Sequence, residues 1–73
     1  MDNWKKEAIK DQEQYIKDAE NDKRTLLEFA SGLDLIGGGL IKIAHGIRMA
    51  TKYQDRRIKR HKEHIEEIKN EVD

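Results

Sequence analysis

Cysteine and proline are absent from this 73-residue chain, aromatic residues make up only 5 %, and neither sign of charge is in excess. Without cysteine there are no disulfide staples and no thiolate metal sites. Fifteen acidic and fifteen basic residues sum to a formal charge of zero, so net charge gives no pull toward DNA or acidic membranes. Long apolar runs are missing too. The longest uncharged run, Leu35 to Ile41, is far short of the ~20 residues a membrane-spanning helix needs. The first residues, Met1-Asp2-Asn3-Trp4-Lys5-Lys6, lack the apolar stretch of a secretory signal, and the C-terminal Asn-Glu-Val-Asp is no lipidation motif. The expected location is therefore cytoplasmic.

What is present points to helices. Charged residues reach 41 % against 36 % hydrophobic, a balance that resembles long helices or coiled coils more than a sheet protein. The apolar residues are periodic, which separates the chain from disordered sequences. Before residue 37 the sevenfold spacing selects Ile9, Gln12, Ile16, Ala19, Lys23, Leu26, Ala30 and Leu33. After residue 39 it selects Leu40, Ala44, Ile47, Thr51, Gln54, Ile58, His61, Ile65, Ile68 and Val72. The seam carries polar interruptions at Gln12, Lys23, Thr51, Gln54 and His61.

Between the two halves stand Gly37, Gly38 and Gly39. Three glycines cost a helix roughly 2–3 kcal/mol relative to alanine, whereas a turn uses their access to positive φ. The expected fold is all-α: one domain over 1–73, with a helix over about 3–36, a glycine turn at 37–39 and a helix over about 40–71. Thr25-x-x-Glu28 matches a capping box and marks a candidate break near 20–24; Ser31-Gly32 marks a candidate kink. Charge supports antiparallel arms. Residues 1–36 hold nine acids and six bases, −3 in sum, and residues 37–73 hold six acids and nine bases, +3. Folding about Gly38 sets Asp18, Glu20 and Asp22 against Lys52 to Ile58, and Lys5, Lys6 and Lys10 against Glu66, Glu67 and Glu71. A two-fold pair of straight helices crossing at the glycines gives the same match and is the alternative to a hairpin.

From Leu26 to Ala50 the apolar face widens beyond what one neighbouring helix covers. Leu26, Phe29, Leu33, Ile36, Leu40, Ile43 and Ile47 form the expected self-association core. Two hairpins packed on it make a four-helix bundle, so the first expected partner is a second copy of the chain, as a homodimer, and the next is another protein. Trp4 lies off the seam near the terminus, either as an anchor for that partner or packed near Ile68 and Val72.

A second candidate surface is the stretch containing Lys52, Arg56, Arg57, Lys59, Arg60 and Lys62, which holds one acid, Asp55. Such a stripe follows a phosphate backbone, with Tyr53 stacking on a base; the favoured account is a solvated face zipped against the acids of the first arm. His61 and His64 share a metal-compatible spacing, but four zinc ligands are not in sight, so no metal and no cofactor is expected. Ser31 sits in no nucleophile motif, and Gly-Gly-Gly-Leu-Ile-Lys is not a phosphate loop. The expected function is thus a small non-enzymatic interaction module, an adaptor, inhibitor or regulator acting as a helical homo-oligomer. A nucleic-acid-binding dimer is the alternative. A membrane-active amphipathic peptide comes third, because Glu28 and Asp34 place acid where membrane-surface helices carry base.

Overall fold

The computed structural model describes residues 3–71. Helix α1 runs Asn3–Ile36 and helix α2 runs Leu40–Asn70. They pack antiparallel as one hairpin, 58 Å long and 14 by 9 Å in cross-section over its Cα atoms. The straight-helix alternative is thereby set aside. Val72, which continues the seam in sequence, lies outside the described residues.

The turn uses two of the three glycines for a conformation that L-residues resist. Gly37 has φ 81° and Gly38 φ 63°. The Gly37 N–H donates to the Leu33 carbonyl at 3.1 Å, the single bond of a left-handed helix stop. Gly39 is already helical, φ −63° and ψ −17°, and begins α2 without a side-chain cap. The N–H groups of Leu40 and Ile41 donate instead to the Gly37 and Gly38 carbonyls at 3.3 Å.

The break considered near 20–24 does not occur; α1 is continuous through it and through Ser31-Gly32. Thr25 does not cap a new helix, because its hydroxyl donates back to the Asn21 carbonyl at 3.0 Å. Arg24 closes the same turn by donating to Asn21 Oδ1 at 2.7 Å. A threonine bonded to the carbonyl four residues earlier is a helix-interior residue, and this local bonding outcompetes the cap.

Every described residue of the seam is buried or half-buried, while almost all the positions around it are exposed. At the open end Ile9, Ile65 and Ile68 form the one cluster of large buried side chains, with Ala8 and Ile16 against it. Elsewhere the fully buried positions are small: Ala19, Ala30 and Ala44 at 0 % exposure. The polar interruptions are all satisfied. His61 Nδ1 donates to Gln12 Oε1 at 2.5 Å and its ring stacks on Tyr15 with centroids 5.3 Å apart. Thr51 donates to the Arg48 carbonyl at 2.6 Å, Lys23 reaches Asp55 at 2.6 Å, and Gln54 accepts from Arg57 at 3.3 Å. Buried polar groups keep their bonds this way, so the seam avoids the desolvation cost of unpaired ones.

Candidate functional site

The two halves of the hairpin are built differently. Call a the seam positions Ile9, Ile16, Lys23 and Ala30 of α1 and Ala44, Thr51, Ile58 and Ile65 of α2, with Gly37 of the turn continuing the same period, and d the remaining seam positions. In the open half most a residues are isoleucine. In the closed half, near the turn, a is Ala30, Gly37, Ala44 and Thr51, all small. Small residues let the helices approach closely, and bulk is then carried by d and by the position preceding a, called g.

That position is where the apolar surface lies. Phe29, Ile36 and Ile43 each precede an a residue, and they are 60 %, 74 % and 53 % exposed. Leu26, Leu33, Leu40 and Ile47 occupy d and are half-buried. On a helical wheel d and g adjoin, and in an antiparallel pair the g positions of both helices lie along one flank. All seven residues expected to form an association core therefore belong to one side of the closed half. Leu35, 90 % exposed, and Ile41, 52 % exposed, extend apolar surface around the apex.

The opposite flank is mixed: Leu27, half-buried, and Ile41, 52 % exposed, share it with Asp34 and Arg48. There Arg48 donates to Asp34, and Lys23 crosses to Asp55. The hydrogen bond it donates to Asp34 holds the Arg48 guanidinium above its ordinary pKa. The cross-helix pairing expected from the charge sums is only partly found. Asp34–Arg48 has the anticipated sense, acid on α1 and base on α2, but Lys23–Asp55 reverses it. Asp18 instead accepts from Gln14 of its own helix at 3.0 Å. Glu20 and Asp22 make no ion pair with Lys52 to Ile58 among the described residues. Lys5 meets the far end of α2 through backbone: its Nζ donates to the Glu71 carbonyl at 2.5 Å.

Lys5, set against Glu66, Glu67 and Glu71 by the charge match, is also a seam residue that the periodicity reading stopped short of. It is 7 % exposed and lies one sevenfold step before Gln12, so the seam period itself carries the signal; a terminal lysine simply does not look like a seam residue. Trp4 is half exposed, with the Lys5 amine 5.8 Å from its ring centroid, and it is outside the Ile9–Ile65–Ile68 cluster. His61 faces the seam and His64 faces solvent, 3.4 Å from Glu67. Both imidazoles line one shallow depression with Gln12, Glu63 and Glu67, but no group of three or more metal-ligating side chains is found among the described residues.

The basic residues form a separate surface. Lys52, Arg56, Lys59, Arg60 and Lys62 are all exposed, whereas Arg57 is half-buried, bonded to Gln54 and 6.0 Å from the Tyr53 ring centroid. A shallow trough on the back of α1, lined by Leu27, Ser31, Gly32 and Leu35, lies open to solvent. No helix among the described residues is long and apolar enough to cross a membrane. Comparison with known protein families, curated proteins and solved structures finds no match to this chain.

Proposed function

We propose that the protein is a non-enzymatic interaction module that works as a homodimer, two hairpins packing through the d and g flank of their closed halves. The observation that carries this reading is the exposure of Phe29, Ile36 and Ile43 along one flank beside a seam of small residues. Such a flank is the self-complementary patch that a two-fold interface requires. Area supports it as well. The chain exposes 5720 Å², about 1000 Å² more than the ~4700 Å² expected of a compact monomer of its mass. A standard interface removes about 800 Å² per partner. No large side chain is fully buried among the described residues, so the isolated hairpin leaves most of its apolar payload partly wet. The dimer supplies the missing second layer, and its charged outer faces remain free to meet other molecules.

Light scattering at tens of micromolar tests this directly. The expected mass is twice 8.6 kDa, with a melting temperature that rises with protein concentration. Phe29→Lys and Ile43→Lys alter residues already exposed in the hairpin, so they should return the mass to that of one chain. A wild-type mass of 8.6 kDa with concentration-independent melting refutes the dimer.

A further inference from the structure

From Leu35 to Lys62 the chain has eight Lys and Arg residues and a single acid, Asp55, with Glu63 the next acid after them. Asp55 is already taken: Lys23 of α1 holds it at 2.6 Å. Two of the eight cations are also engaged, Arg48 by Asp34 and Arg57 by Gln54 and Tyr53. Lys52, Arg56, Lys59, Arg60 and Lys62 have no carboxylate within ion-pair distance among the described residues. Lys52, Arg56 and Arg60 follow one another at four-residue intervals, so they stand in a row on the outward side of α2, about 6 Å apart along the axis. Lys59 lies beside that row. Like charges at this spacing weaken a helix by a few tenths of a kcal/mol per pair, offset in part by Asp55 and Glu63, each four residues from Lys59. Tyr53 stands next to the row, 63 % exposed.

We infer that this outward face of α2 binds a single strand of nucleic acid, with Lys52, Arg56, Lys59 and Arg60 on successive phosphates and Tyr53 stacked on a base. The zero net charge of the whole chain does not oppose this. Charges farther off than a Debye length, about 10 Å at 0.1 M salt, are screened from the ligand, and the cationic row is what a strand lying on α2 meets. A lipid surface fits the same face less well. Membrane-surface helices sink an apolar face into the headgroup boundary, but the apolar face of α2 is committed to the seam and the flank, and only Met49 and Tyr53 stand out among the cations. A single strand needs no apolar face: it needs a basic track and an aromatic platform. The row is also distinct from the d and g flank, so this inference stands apart from the dimer reading.

Fluorescence anisotropy with a labelled 20-nucleotide oligothymidine tests it, with light scattering on the same samples. Binding is expected at 50 mM salt. With four phosphates neutralised, affinity should fall about 50-fold between 50 and 200 mM salt. Lys59→Gln with Arg60→Gln leaves two contacts, and the same salt step should then cost only about 7-fold. Tyr53→Ala should weaken binding with the salt slope unchanged. None of these changes should alter the mass or the helical circular dichroism, because all three residues are exposed and outside the seam. No binding at 50 mM salt, a slope unaffected by the double neutralisation, or tighter binding to phosphatidylglycerol vesicles than to the oligonucleotide would each overturn the inference. A monomeric mass with salt-dependent binding would defeat the dimer and leave this face standing.

Discussion

The three glycines of the turn should respond to alanine in opposite directions. Gly37 and Gly38 sit at φ 81° and φ 63°, where an L side chain costs about 1–2 kcal/mol. Alanine also restricts the unfolded chain, which returns about 0.4–1 kcal/mol. The net expectation is a loss of about 1 kcal/mol at either position. Gly39 differs. Its φ is −63° and nothing lies within 4 Å of an added Cβ, so alanine should stabilise by about 0.4–1 kcal/mol. Urea unfolding followed by circular dichroism reads both signs. With a slope near 1 kcal/mol per molar urea for so small a chain, the midpoint should drop by about 1 M for Gly37→Ala or Gly38→Ala and rise by about half as much for Gly39→Ala. Protein concentration must be held fixed, since association shifts the midpoint as well. Replacing all three at once removes the turn geometry. One continuous helix over the same residues would be about 100 Å long, against 58 Å for the hairpin, a difference that small-angle scattering resolves. The reasoning fails if Gly39→Ala destabilises as much as Gly37→Ala, or if all three single changes stabilise, because either result denies the positive φ angles their place in the stop.

Ala30 is fully buried between the helices, so Ala30→Leu should push them apart and lower stability by about 1–3 kcal/mol, read as a urea midpoint shift; a neutral result would mean the closed half is loosely packed. The Gln12–His61 bond crosses the hairpin, so Gln12→Leu alone should cost about 1–3 kcal/mol by orphaning the ring nitrogen, while Gln12→Leu with His61→Leu should be near neutral or stabilising. Additive losses in that pair would show that the two side chains are not partners.

The sevenfold period located nearly every buried position, including the unusual ones. Gln12, Lys23, Thr51, Gln54 and His61 were legible as seam residues despite their polarity, because position on a helix follows from spacing and not from residue type. What spacing could not give was their partners. His61 meets Gln12 and Tyr15 only because α2 folds back at one particular register. Charge arithmetic was weaker still. Summed over an arm, the charges select antiparallel packing, but individual ion pairs depend on reach and rotamer. Asp18 satisfied itself within one turn of its own helix, and Asp55 went to Lys23, which left the cationic row of α2 unpaired where the sequence suggested a zipped face. The Thr25–Glu28 cap failed for a similar reason: a local hydroxyl bond to the preceding turn was available and required no break.

By itself the sequence determined the two helical stretches and marked the glycines as the place for a reversal, because periodicity and three adjacent glycines act over a few residues and need no distant neighbour. Only the tertiary structure decided that the chain turns back at the glycines, that α1 is unbroken, and which apolar side chains of the closed half stay exposed. That outcome requires the two helices to be in contact. Ala30, Ala44 and Thr51 fill the seam of the closed half, and the larger Phe29, Ile36 and Ile43 beside it remain exposed.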